Sequence, residues 1–338
     1  MKRSTIYIGV ILLLIVVFVA DLFLGSTFIP PKDMISILLG GGSDHEVWQQ
    51  IVWDFRLPRV LTALVVGAGL AVSGLVMQVL FRNPLAGPFV LGISTGASLG
   101  VALAVLAGIS FGISWMNSWF TVFSATLGSL TVFMVVLIVS IRVKDSMTLL
   151  IFGLMLGSAT GGIVAVLQYF SKAEDIQVYL LWTFGSLGGV TYEKLAILAP
   201  MVIAGILIAT MRIKSLNAML LGEEYSRSLG VNIFSSRLWI IIATCIMAGA
   251  ITAFCGPIAF IGIAVPHFAR MLFMTSDHKR ILPMSLLLGA IALLFCDIIS
   301  QLPGSDEVLP INAVTAVFGA PVVIWLIIKR GNIKRSLG

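Results

Sequence analysis

Two arginines one helical turn apart, Arg56 and Arg59, stand in an Arg-Leu-Pro-Arg stretch directly before an apolar run that begins at Val60. A guanidinium is a planar fork of donors that pairs with a carboxylate in two places, so this arrangement suits the docking of acidic groups on a partner. The same side chains could instead snorkel from the edge of a bilayer to lipid headgroups. A second cluster lies far along the chain, where Glu223, Glu224, Arg227 and Arg237 mix with Leu220, Leu221, Leu229, Val231 and Ile233. An amphipathic stretch of this kind can occupy a partner's groove or lie on a membrane surface, and Gly230 is placed to end its first short helix. The third is Arg-Asn-Pro-Leu-Ala-Gly-Pro at 82–88. Pro84 and Pro88 break a helix there, and Asn83 can hydrogen-bond the freed backbone. Broken backbone survives at membrane depth only where protein or a water-filled cavity covers it. Asn83 and Pro84 therefore belong either to a plain turn or to the wall of a path.

None of these clusters is a catalytic constellation. His45, His267 and His278 make no metal-binding pattern, and Cys245, Cys255 and Cys296 lie inside apolar segments without Cys-x-x-Cys spacing. No catalytic residue and no metal site are expected, and the cysteines read as small buried residues. His267, beside Pro266, reads as a structural hydrogen-bond partner near a helix end. There is no G-x-x-x-x-G-K-[ST] loop and no Gly-Lys dipeptide. The chain should therefore neither bind nor hydrolyse ATP by itself, and no cofactor is implied.

The elements that position these residues follow from composition. Of 338 residues, 59% are hydrophobic and 11% charged, against about 25% charged in soluble domains. The mean hydropathy is +1.09, and a polytopic all-α membrane protein is the class this implies. The net charge of +6 is scattered between apolar runs and forms no basic face, which argues against a nucleic-acid partner. Lys2 and Arg3 precede an apolar run as in a secretory signal. Phe18-Val19-Ala20 lacks the small residue wanted three before a cut, so the segment reads as a retained first span.

A spanning helix needs about 20 apolar residues. Uncharged runs place spans at 5–24, 60–81, 147–170, 195–211, 281–302 and 312–328. The 83–141 run is long enough for two, reversing near 108–118, and 238–269 divides at Gly256-Pro257 into two more. The 176–192 segment, broken by Gly185, Gly188 and Gly189, reads as a partial or re-entrant helix. The expectation is ten spans in one transmembrane domain, 1–338, with both termini on one side. With the N-terminus cytoplasmic, 16 of the 21 Lys and Arg fall inside, leaving Lys32, Arg56, Arg59, Lys172 and Lys194 outside. That asymmetry supports the orientation.

Gly92/Gly96/Gly100 and Gly153/Gly157/Gly161 form small-residue ladders for close packing, for a subunit interface or for a pathway. GAGLAVSG at 67–74 and MAGAITAFCG at 247–256 are a weak echo running in opposite directions, the pattern of inverted repeats. Only Asp21 and Asp297 fall within predicted spans, both toward the outer ends. A secondary carrier usually needs ionisable groups at mid-membrane. Their absence points to a separate source of driving energy, with an ion-coupled carrier and a non-transporting scaffold as the rival readings.

RLPR (56–59), GAGLAVSGLVMQ (67–78), NPLAGPFVLGISTGA (83–97), LLGEEYSRSLGV (220–231), GPIAFIGIAVPHFAR (256–270) and LPINAVTAVFGAPVVIWLI (309–327) together resemble the permeases of ATP-binding-cassette (ABC) importers for ferric siderophores, haem and cobalamin. The resemblance implies the type II ABC importer permease architecture in a bacterial inner membrane. It implies a homodimer, two ABC ATPase subunits that use the ATP, and an extracytoplasmic substrate-binding protein. It assigns Arg56 and Arg59 to glutamates of that binding protein. The segment at about 215–238, with Leu221, Gly222, Glu223, Glu224, Arg227, Leu229 and Gly230, becomes the surface that docks on the ATPase. The turn holding Ser146 and Met147 becomes the inner constriction. Two positions depart from the family pattern: Met147 stands where small hydroxyl residues are frequent, and Gln301 where a further basic docking residue is often found.

Overall fold

In a bilayer the backbone of a long uncharged run can satisfy its hydrogen bonds only within a helix, and helix is what these runs form. The computed structural model describes residues 3–41, 46–107, 118–143, 145–302 and 307–335. In chain order the helices are α1 Arg3–Phe23, α2 Pro31–Leu38, α3 Glu46–Gln50, α4 Leu57–Leu80, α5 Ile93–Ala102, α6 Ser118–Arg142, α7 Ser146–Phe170 and α8 Ala173–Thr183. They continue as α9 Tyr192–Met211, α10 Ile213–Met219, α11 Glu223–Ser228, α12 Ile233–Cys255, α13 Ile261–Phe273, α14 His278–Ser300 and α15 Ile311–Arg335. A π-helical turn at Ile51–Arg56 joins α3 to α4 in one continuous rod, and another at Leu103–Ala107 extends α5.

Among the described residues seven helical stretches are long and apolar enough to cross a membrane, and three shorter apolar helices accompany them, Ile93–Ala107, Ile261–Phe273 and Ile311–Trp325. Seven and three match the ten segments expected from the sequence. The 13 residues of α13 extend about 20 Å, against about 30 Å of hydrocarbon. The backbone before α13 is broken, with positive φ at Gly256 (75°) and Phe260 (67°). Its polar groups are met inside the protein: Ser186 N donates to Cys255 O (2.8 Å) and Ala259 N to Asn312 Oδ1 (3.2 Å).

The 176–192 segment differs from expectation at its start. α8 begins at Ala173 and carries Glu174 and Asp175 in its first turn, where acidic residues favour the positive helix end. A search for uncharged runs enters this helix late. The expected reversal at 108–118 lies almost entirely outside the described residues.

The rod containing α4 is the centre of the bundle, with 83% of its apolar window buried, whereas α1 and α7 bury 17% and 28% of theirs. α4 packs most extensively on α14, then on α12, α13 and α9. Hydrophobic burial cannot drive association within lipid, so the seams depend on backbone approach. Gly67 meets the carbonyl of Gly289 on α14, and Gly74 meets Gly262 on α13. In the first predicted ladder, Gly96 and Gly100 seat against Gly128 and Ser124 of α6. In the second, Gly153 meets the Val90 carbonyl while Gly161 faces open space. Packing therefore accounts for only the start of that ladder.

Candidate functional site

Residues that are far apart in sequence meet at the two ends of the bundle. α4 runs from the Arg59 end to the Arg82 end. α12 and α14 run back the other way, so the 67–74 and 247–256 echoes do point in opposite directions.

At the Arg59 end the two arginines have different surroundings. Arg56 is only 5% exposed. Its Nη1 donates to Leu22 O (3.1 Å) and Phe23 O (2.8 Å), and its Nη2 to Thr27 O. Gly25, lacking a side chain, leaves room for the guanidinium. Arg56 thus satisfies the carbonyls that the C-terminus of α1 leaves without partners. An ammonium cannot reach three carbonyls in this fan. Arg56→Lys is therefore expected to cost about 2 kcal/mol, the scale of hydrogen bonds to charged groups, and to lower the thermal unfolding midpoint of the purified chain. An unchanged midpoint would remove this structural role.

Arg59 grips Asp297 in bidentate fashion, Nε to Oδ2 at 2.8 Å and Nη2 to Oδ1 at 2.8 Å. The Asp297 side chain is wholly buried and that of Arg59 is 16% exposed. Gln301 turns inward, its Nε2 donating to Asp21 Oδ1 (3.0 Å) and Asp297 Oδ2 (3.1 Å). Beside this cluster opens a cavity of about 400 Å³ lined by Ser26, Thr27, Phe55, Arg56, Arg59, Gly188 and Gln301, among others. Sequence reasoning named both arginines but missed their internal partners. The available signal was charge balance, since the two acids within spans stood at the same end as the two cations.

At the opposite end the predicted docking segment and the predicted constriction face one cavity of about 650 Å³. Its lining includes Arg82, Ser146, Met147, Leu221, Gly222 and Glu223. Glu224 and Tyr225 border it as well. Leu221, Arg227 and Leu229 are exposed. Gly230, at φ 78°, ends α11 with paired bonds, Gly230 N to Arg227 O (2.9 Å) and Val231 N to Ser226 O (3.0 Å), a glycine-terminated helix end that satisfies the last carbonyls. Asn83 and Pro84 lie apart from this cavity's lining. Asn83 Oδ1 accepts from Leu85 N (2.9 Å), and Pro84 O meets His267 Nε2 at 2.8 Å, which fixes the turn on α13.

Aspartates begin two of the helices here. Asp145 caps α7, its Oδ2 accepting from Thr148 N and Thr148 Oγ1, both at 2.8 Å. The Thr148 hydroxyl, then the Thr148 amide, hold its carboxyl below the usual carboxylate range. Asp277 caps α14 and is held down first by the Asn217 amide, then by the Lys279 backbone N–H. Both caps are ionised, and therefore in place, at neutral pH.

An all-helical bundle with these spans and two polar, cavity-bearing ends defines the class, a multi-span membrane protein. A solved structure described as an inward-facing conformation of a metal-chelate type ABC transporter is 30% identical, with a TM-score of 0.84, covering 97% of this chain and 100% of that one. PsaBC from Streptococcus pneumoniae in complex with Fab shares the fold at 16% identity and a TM-score of 0.55, over 82% of this chain and 92% of that one. The vitamin B12 import system permease protein BtuC of Klebsiella pneumoniae subsp. pneumoniae is 36% identical, over 95% of this chain and 92% of the relative. BtuC of Citrobacter koseri is 37% identical over 94% and 92%. The chain belongs to the FecCD transport family, whose model matches residues 13–329, and is a permease of an ABC transporter of the metal-chelate and B12 type.

Proposed function

We propose that two copies of this chain form the translocation path of an importer that carries a bulky metal chelate into the cytoplasm. Two separate ABC ATPase subunits drive it, and an extracytoplasmic binding protein delivers the substrate at the Arg59 end. The termini are then cytoplasmic and the membrane is the bacterial inner membrane. The observation that carries this reading is the likeness of nearly the whole chain to B12 import permeases and to a metal-chelate transporter. The ends of the bundle support it. Arg56 and Arg59 both border the cavity at one end, and we assign the binding-protein contact to Arg59 because Arg56 is nearly buried with its guanidinium bonded inward to three carbonyls. At the other end Leu221, Gly222, Glu223, Glu224, Arg227, Leu229 and Gly230 present a mixed apolar and charged surface to the ATPase. Ser146 and Met147 form the constriction, and Asn83 and Pro84, in the turn held on α13, shape the inner path.

The substrate class is a cobalamin, a ferric siderophore or haem. Vesicles containing this chain, its ATPase and its binding protein are expected to accumulate one of the three in an ATP-dependent manner. Accumulation that follows an ion gradient without the ATPase would overturn the reading in favour of a secondary carrier. An assembled dimer that moves none of the three would favour a scaffold.

A further inference from the structure

We infer that Arg237 is the joint through which movement of the α10–α11 loop reaches the turn that begins α7. This positioning role rests on the importer reading and assigns it to the one charged residue of the 215–238 segment's cluster that is buried rather than presented to the ATPase.

The geometry is a four-way junction. Arg237 is rooted on α12 and is only 5% exposed. Its Nη1 donates to Val143 O at 2.9 Å, directly after α6. Its Nη2 donates to Ser146 Oγ at the start of α7 and to Glu223 Oε1 at the start of α11, both at 3.3 Å. Ser146 Oγ in turn donates to Glu223 Oε1 at 3.4 Å. The arginine fork reaches these acceptors from two separate nitrogens in a fixed plane, whereas a lysine ammonium offers its three donors from one nitrogen on a flexible stem.

Two features make this junction the route by which displacement passes. Close backbone approach of α11 is confined chiefly to α10 and α12. On the side toward α7 lies the cavity that Ser146, Met147, Glu223 and Glu224 share. Among the described residues a cavity rather than a packed wall separates loop and turn, so displacement of α11 passes to α7 chiefly through side chains. The bond lengths then divide the junction. The Val143 contact is the short one and holds Arg237 to the backbone of the turn, while its bonds to Ser146 and Glu223 are equally long for hydrogen bonds, and Glu223 is the member carried by α11. Glu223 is half-buried, its side chain 29% exposed against 6% for Arg237, so it lies between a partner's surface and the buried guanidinium.

The test uses the complete transporter in vesicles, reading substrate moved per ATP hydrolysed. R237Q is expected to lower that ratio about tenfold, within the range by which mutations along packed networks change coupling. E223Q should fall similarly, and E223Q/R237Q no further than either single change, because both break one junction. R237K, keeping the charge but losing the fork, should fall between R237Q and wild type. A merely structural arginine would change the yield and thermal midpoint of the assembled complex while leaving the ratio of the surviving complexes unaltered. If R237Q does not assemble, S146A and E223Q carry the same expectation without removing a buried cation. A wild-type ratio in R237Q or E223Q, or additive losses in the double variant, would overturn the inference while ATP-driven uptake by the wild type leaves the importer reading standing. Wild-type vesicles that move no chelate would overturn both.

Discussion

Gly74→Val is expected to prevent the bundle from assembling as a stable, monodisperse protein. A Cβ at position 74 would overlap the carbonyl and Cα of Gly262, which are helix main chain, so no side chain can swing aside. Relief requires α4 and α13 to separate. Their attraction within lipid is largely van der Waals contact and interhelical hydrogen bonding, and a gap of an ångström forfeits much of the former. Gln78 would be affected too, because its Nε2 reaches Ile263 O (3.2 Å) and its Oε1 accepts from Arg270 Nη1 (2.7 Å) across the same seam. The cost should be at least about 3 kcal/mol, the upper end of overpacking penalties. Gly161→Val is the control: it faces open space on α7, and the isolated chain should change by no more than about 0.5 kcal/mol. Thermal unfolding of the two purified variants followed by size-exclusion chromatography decides the matter. A G74V protein that unfolds with the wild type would show that the seam relaxes cheaply and that backbone contact does not hold α4 in place. If G161V is stable yet loses uptake, the open part of the second ladder faces the partner copy or the path.

The spans were legible because charge is so costly in hydrocarbon that its absence over about 20 residues leaves few other readings. The same rule explains the misplaced edges. α12 begins at Ile233 and keeps Arg237 buried inside its second turn, where Val143, Ser146 and Glu223 neutralise and bond it. A charge-free criterion starts this helix at 238 because it cannot see that partners make a buried cation tolerable. α8 was entered late for a different reason, its acidic first turn. At the Arg59 end, residue type was readable but direction was not. Arg56 and Arg59 are equivalent in sequence, three residues apart before one apolar run. The carbonyls of Leu22, Phe23 and Thr27 draw the first inward, and a carboxylate 238 positions along the chain holds the second. Partners of that separation are set by the packing of α1 and α14 on α4, which no local pattern encodes. The junction at Arg237 was hidden for the same reason, since the loop and the constriction were separate motifs until the fold placed them around one cavity.

Removing the Arg59 guanidinium should destabilise the chain more than removing the charge of its partner, and the asymmetry separates structure from docking. In Arg59→Ala the carboxylates of Asp297 and Asp21, both fully buried, would share the amide of Gln301 as their side-chain donor among the described residues. A buried charge stripped of its partner costs about 3–5 kcal/mol. In Asp297→Asn the side-chain oxygen still accepts from Arg59, one of the two acids is gone, and the partly exposed guanidinium keeps some access to water. That change should cost about 1–2 kcal/mol. Combining Arg59→Met with Asp297→Asn removes the pair together and should restore most of the thermal midpoint, since replacing both partners of a buried pair is often near neutral. The stable double variant then tests the binding protein directly. If Arg59 receives an acidic residue from that protein, the double variant assembles normally but needs at least about tenfold more binding protein for half-maximal uptake, the equivalent of about 1.4 kcal/mol. Wild-type dependence on the binding protein would assign Arg59 wholly to the internal pair and end the docking proposal. A double variant no more stable than Arg59→Ala would instead show that Asp21 is the acid Arg59 chiefly neutralises, because Asp21 is the one carboxylate left in the cluster.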